Sequence, residues 1–140
     1  MEVQVNWLAV LLAGLSSMVV GMIYYAKPVF GDAWQKMVKL DEAKMKQGMG
    51  PAMTKSIIAS LVTAYVLAHV TYLSSVYFVD GTFMSAALTT AFWLWLGISA
   101  TTIVVHDAFE QRPMKLTAMN AGTQLFTLLA MGLIIGSLGL

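Results

Sequence analysis

Few residues in this chain are equipped for chemistry, and their spacing limits what each can do. His69 stands in a long apolar stretch with Tyr65 four residues before it and Tyr72 three after. On a helix the three share a face. An ionisable group in such surroundings either relays protons or binds a substrate, or it stays neutral and hydrogen-bonded between packed helices. His106 cannot join it at one haem, because the two histidines fall roughly 20 Å apart in depth when their segments are drawn as helices.

Asp107, Glu110 and Arg112 form a short charged cluster. Paired carboxylates can do acid–base work, but charges in a connecting loop are usually solvated. Glu110 and Arg112 are expected to pair there. Asn120, Thr123, Gln124 and Thr127 fall on one stripe, where they would line a hydrated pocket or hold helices together. Met45, Met49 and Met53 recur every four residues, and thioethers suit Cu(I). Gly48, Gly50 and Pro51 should interrupt any helix that aligns them, so these methionines read as flexible packing.

There is no cysteine, hence no thiolate metal site and no thiol nucleophile. No Ser-His-Asp spacing, His-Glu-x-x-His or glycine-rich phosphate loop occurs. The expectation is a protein that is not an enzyme and needs no metal or cofactor.

The elements that must carry these residues follow from composition. Hydrophobic residues make up 59% of the 140 positions and charged ones only 11%. A soluble domain this small could not hide that much apolar surface. Residues 5–26, 56–79, 83–105 and 117–140 contain no Asp, Glu, Lys or Arg. Each runs to about 22–24 residues, enough to cross a bilayer core as a helix. The first apolar run lacks a basic leader and an Ala-x-Ala cleavage site, so it is read as a retained span rather than a signal peptide.

All 8 Lys and Arg residues lie in or beside the first and third loops. The positive-inside rule puts those loops in the cytoplasm and both termini outside. With a net charge of only +1, nothing suggests a nucleic-acid partner. In the long first loop, Asp32 can cap a short helix with Trp34, Met37, Val38 and Leu40 on one face, lying in the interface with Trp34 as its anchor. A second short turn would begin near Asp41, and Pro51 would open the second span.

The fold class expected is therefore all-α: a single polytopic membrane domain of four transmembrane helices in two hairpins. Asp32-Ala33-Trp34 with Lys36, Lys39 and Leu40 weakly echoes Asp107-Ala108-Phe109 with Arg112, Lys115 and Leu116. Two hairpins related by an axis along the membrane normal would give that pattern. Small residues mark packing faces: Ala9, Ala13, Ser17 and Gly21 in the first span, Ser56, Ser60, Ala64 and Ala68 in the second, Gly132 and Gly136 in the fourth.

Several motifs in order resemble those of a bacterial family of four-span membrane proteins, domain of unknown function 1761. They are Asn6-Trp7-Leu8-Ala9, Gly21 with Tyr24-Tyr25, Phe30-Gly31 with Trp34, and Ala64 to His69. Trp95-Leu96-Gly97, Ala100-Thr101-Thr102, Phe109-Glu110 with Arg112-Pro113, and Asn120-Ala121-Gly122 complete the set. Pro28 stands one place later than in the family pattern. The resemblance implies an integral protein of the bacterial inner membrane and no established activity.

Two functional expectations follow. One is a non-enzymatic protein working through helix contacts in the lipid bilayer, as a homo-oligomer or a small subunit of a larger assembly. The other is a small-solute or proton-coupled transporter acting as a dimer, with His69, Asn120 and Gln124 as its polar residues.

Overall fold

A computed structural model describes residues 2–140. Among them the regular structure is entirely helical. Helix α1 spans Trp7–Tyr24 and is followed by one wide π turn, Lys27–Gly31. Helix α2 spans Asp32–Val38 and α3 spans Glu42–Tyr77. A rod from Phe83 to Phe109 comprises α4 (Phe83–Leu94), a π-helical segment (Trp95–Ala100) and α5 (Thr101–Phe109). Helix α6 spans Met114–Leu138. Four of these units are long and apolar enough to cross a membrane: α1, α3, the α4–α5 rod and α6.

The ends are set by local chemistry. Asn6 caps α1 by accepting from the Ala9 N–H at 3.1 Å, and Asp41 caps α3 by accepting from Lys44 at 2.7 Å. Lys39 closes α2 in the left-handed conformation (φ 57°). Asp32 does not cap α2 as the sequence suggests. It is the first helical residue, because the π turn before it already has helical backbone and Gly31 holds the preceding position.

The larger correction concerns α3. No separate short turn follows Asp41; one helix runs 36 residues from Glu42, with Pro51 inside it. That is about 54 Å, well beyond the roughly 30 Å of a bilayer core. Its charged first turns therefore extend past the apolar spans. Pro51 cannot donate to the Gln47 carbonyl, but Gln47 and Gly50 are exposed, so solvent can take the place of the missing donor. One consequence is that Met45, Met49 and Met53 do lie on one helical face. Spaced over about 12 Å of helix, their sulfurs still do not converge on one ion.

The helices pack as an up-and-down bundle, with α1 between α3 and α6, and α4 on the other side of both. Close approach depends on small residues. A Cβ on Gly14 would stand 2.6 Å from Leu61 Cδ2, and one on Gly132 would stand 3.1 Å from the Ala87 carbonyl oxygen. Ala9, Val10, Ala13, Ala64, Leu67, Ala68, Ala91, Leu128, Met131 and Ile135 form the core. Gly132 and Gly136 thus pack against α4 within the chain, and Ala13 and Ser17 pack inside the bundle as well. Gly21 differs, since a Cβ there would meet nothing within 4 Å.

The burial is lopsided. Buried residues of α3 fall only between Ala64 and Thr71, and those of the α4–α5 rod only between Ala87 and Ala91. Helix α6 is buried along its length, from Leu116 to Ile135. Helix α3 packs on α1 and α4 but not along α5. The bundle is therefore closed in the half near the termini and splayed in the half near the charged loops.

Candidate functional site

In the splayed half, polar side chains from three elements gather beside α6. The Tyr25 hydroxyl, at the end of α1, donates to Asn120 Oδ1 at 3.0 Å and accepts from Thr123 Oγ1 at 2.9 Å. The donor on Tyr25 fixes which end of the Asn120 amide faces it, so the amide nitrogen points elsewhere. That nitrogen has no protein partner among the described residues, and it is not among the enclosed polar atoms that lack one. It therefore reaches open space.

Aromatic side chains fix the surroundings. Trp34 of α2 packs its ring 5.5 Å from that of Tyr25. Tyr24 meets the Tyr25 ring edge-on at 5.3 Å and also packs against Phe30 at 4.7 Å and Phe126 at 6.1 Å. A Cβ on Gly122 would come within 2.7 Å of the Tyr24 hydroxyl, which explains glycine there. A Cβ on Gly31 would collide with the Tyr25 carbonyl. From the other flank, Trp95 Nε1 donates to the Ala121 carbonyl at 2.8 Å. Trp95 opens the π-helical segment, a local widening that often occurs at functional sites.

Gln124 is the informative residue. Thr117, Leu128, Met131 and Ile135 lie at −7, +4, +7 and +11 from it, so all share its face of α6. All four are buried. Gln124 is exposed. It thus points toward the bundle interior at a level where the interior is open. Of the stripe Asn120, Thr123, Gln124 and Thr127, expected either to line a hydrated pocket or to hold helices together, the members divide. Asn120 and Thr123 engage Tyr25, while Gln124 and the free Asn120 nitrogen face unfilled space. At the closed side of that space, Ser17 Oγ donates to Ser60 Oγ at 2.7 Å and joins α1 to α3.

The other expected residues lie apart. His69 belongs to the closed half, where its ring stands 5.5 Å from Tyr65, which in turn stacks on Trp7 at 5.5 Å and 14°. His69 Nδ1 and Thr71 Oγ1 are enclosed and lack hydrogen-bond partners. Tyr72 pairs with no aromatic ring among the described residues, although its carbonyl accepts from Ser75. Asn6 caps α1. Glu110 does pair with Arg112, at 3.0 Å and exposed. Lys27 pairs with Glu42 at 3.1 Å across the first loop. The Glu42 hydrogen bond, then its charge and that of Asp32, raise the Lys27 ammonium above its ordinary value.

No three His, Asp or Glu side chains converge as a metal site among the described residues. A shallow surface depression of about 450 Å³ beside α2 sets Asp32 and Asp41 against Lys36 and Lys39, without a converging donor set.

Sequence reasoning from residue types overlooked Tyr25 and Trp95, which drew attention only through the family motifs. The fold brings those motifs together: Tyr24-Tyr25, Phe30-Gly31, Trp34, Trp95 and Asn120-Ala121-Gly122 surround one end of α6.

A helical bundle with four helices fit to cross a membrane, closed at one end and polar within its open end, defines the class. The chain belongs to the family described as protein of unknown function (DUF1761), whose sequence profile matches residues 8–136. No curated protein and no solved structure matches the chain.

Proposed function

We propose that the protein is a non-enzymatic, multi-pass protein of the bacterial inner membrane that admits a small uncharged molecule into the open half of its bundle, as a transporter. The observation that carries this reading is Gln124, exposed on a face of α6 whose other residues Thr117, Leu128, Met131 and Ile135 are buried. An unpaired amide facing the interior of a membrane bundle is costly unless something hydrogen-bonds to it. The charge distribution supports cytoplasmic placement of the Lys-rich loops, so the open half faces the cytoplasm. It also supports α2 lying at the interface, with Trp34 at headgroup depth. Reconstituted vesicles test the reading. Flux of uncharged solutes that falls in Gln124→Leu and Asn120→Ala supports it, and equal flux in wild type and both variants across a broad panel removes it. Thiol labelling of Asp41→Cys and Asp80→Cys from opposite sides of the membrane tests the orientation.

A second reading has an observation of its own. Helix α3 does not pack along α5, and the gap between them opens among apolar surface, with Ile58 and Val62 exposed on α3 and Val104 and Val105 on α5. A helix of a second copy, or of another membrane subunit, would cover them. The internal use of Gly132 and Gly136 leaves this gap, rather than the small-residue stripes, as the surface for such contacts. Native mass measurement in mild detergent separates the two, since a lone monomer that conducts solute excludes the second.

A further inference from the structure

We propose that the open half of the bundle binds a lipid-soluble 1,4-quinone, a planar uncharged ring with carbonyl oxygens on opposite edges. The proposal rests on reading this space as a solute site and names the occupant.

Charge comes first. The four apolar segments contain no Lys, Arg, Asp or Glu. His69 is separated from the open half by the packed layer of Ala64 and Leu67. Asp107 lies twelve residues along the rod from Trp95, roughly 18 Å away toward the loop. An ion at Gln124 would lack a counter-charge in an apolar setting, which is strongly unfavourable. The occupant is neutral.

Hydrogen-bonding capacity narrows the class. Tyr25 occupies Asn120 Oδ1 and leaves the amide N–H groups free. The Gln124 amide is one helical turn further along the same side of α6. Side chains at this spacing begin about 5–6 Å apart. Two donors so placed match two acceptors on one rigid molecule, and the carbonyl oxygens of a 1,4-quinone have much the same separation. Aromatic rings also stand close to these amides: Tyr25, packed against Tyr24 and Trp34, and Trp95, packed against Phe92, are each tied to α6 by a hydrogen bond from the polar end. Flat aromatic faces suit a flat ring.

The route of entry agrees. The opening lies between α3 and α5, and the surface around it is apolar, with Ile58 and Val62 exposed on α3 and Val104 on α5. A ligand dissolved in the bilayer reaches Gln124 sideways without crossing a charged mouth.

The test uses the full chain in phospholipid nanodiscs, titrated with decyl-benzoquinone, with tryptophan fluorescence as the readout. The expected result is saturable quenching that decylbenzene, which lacks carbonyls, does not compete away. Gln124→Leu and Asn120→Leu should each weaken binding by about tenfold, the order of one buried hydrogen bond. Gln124→Asn should retain part of the affinity, and circular dichroism should show that each variant keeps its helices. Quenching that only rises linearly, or saturable quenching unchanged in the Gln124→Leu/Asn120→Leu double variant, overturns the proposal. The parent reading is separable: Gln124-dependent flux of an aqueous solute without quinone binding overturns the quinone and keeps the solute site. Gln124-dependent quinone binding without any flux supports the quinone and removes transport.

Discussion

The Tyr25 hydroxyl donates to Asn120 Oδ1 at 3.0 Å, joining residues 95 positions apart in sequence. One bond thereby ties the end of the first membrane-spanning helix to the last. It also orients the Asn120 amide, engaging its oxygen and leaving its N–H groups turned away from Tyr25. Position, orientation and donor character of the site all pass through this pair.

Tyr25→Phe should therefore cost about 0.5–2 kcal/mol of stability, the range for hydrogen bonds between membrane helices and in protein interiors. Thermal unfolding in detergent measures it. A double-mutant cycle with Asn120→Ala should show coupling, because each single change removes the same bond. Strictly additive losses would mean that the two side chains act independently.

Glycines at two levels of α1 should respond in opposite ways. Gly14→Val forces side-chain atoms into Leu61, whose Cα would already lie 3.2 Å from a Cβ. Overpacking of this kind costs about 1–3 kcal/mol. Gly21→Ala meets nothing within 4 Å and should be neutral or stabilising by up to about 1 kcal/mol. Unfolding midpoints of the two variants, compared side by side, report whether the bundle is tight at one end of α1 and open at the other.

Gln124→Leu should leave stability unchanged or raise it, since it exchanges an exposed, unbonded amide for an apolar group of similar size. A drop of more than about 1 kcal/mol would show that the amide is holding helices together. The same variant should lose solute handling, so stability and function should part at this residue.

Arg112→Ala should change stability by less than about 0.5 kcal/mol. Its pair with Glu110 is exposed, and isolated surface ion pairs contribute little. A larger loss in an unfolding curve at moderate salt would assign the third loop a structural part that this geometry does not give it.

The long apolar stretches made the four spanning helices legible from sequence, because hydropathy over twenty residues leaves few alternatives. The start of α3 was not legible: Gly48, Gly50 and Pro51 read locally as a break, whereas the helix continues through them where exposure lets solvent reach the carbonyl that Pro51 leaves open. The polar stripe on α6 was visible, but not its division. Periodicity places Asn120, Thr123 and Gln124 on neighbouring lines, and only the packing of other helices decides which are covered. Tyr25 gave no signal by type, since a tyrosine at the end of a span usually marks the interface. Its partner is 95 residues away, and such a contact follows from the tertiary arrangement alone.

Accessibility at two positions on one face of α6 tests the half-open bundle most directly. The chain has no native cysteine. Spin labels on Gln124→Cys and Met131→Cys, seven residues apart on the same face, can be compared in bilayers for collision with dissolved oxygen and with a water-soluble nickel complex. The open half predicts frequent collisions with at least one reagent at position 124 and few with either at position 131. Equal protection at the two positions would mean that the bundle is closed along its whole length, and would contradict the account.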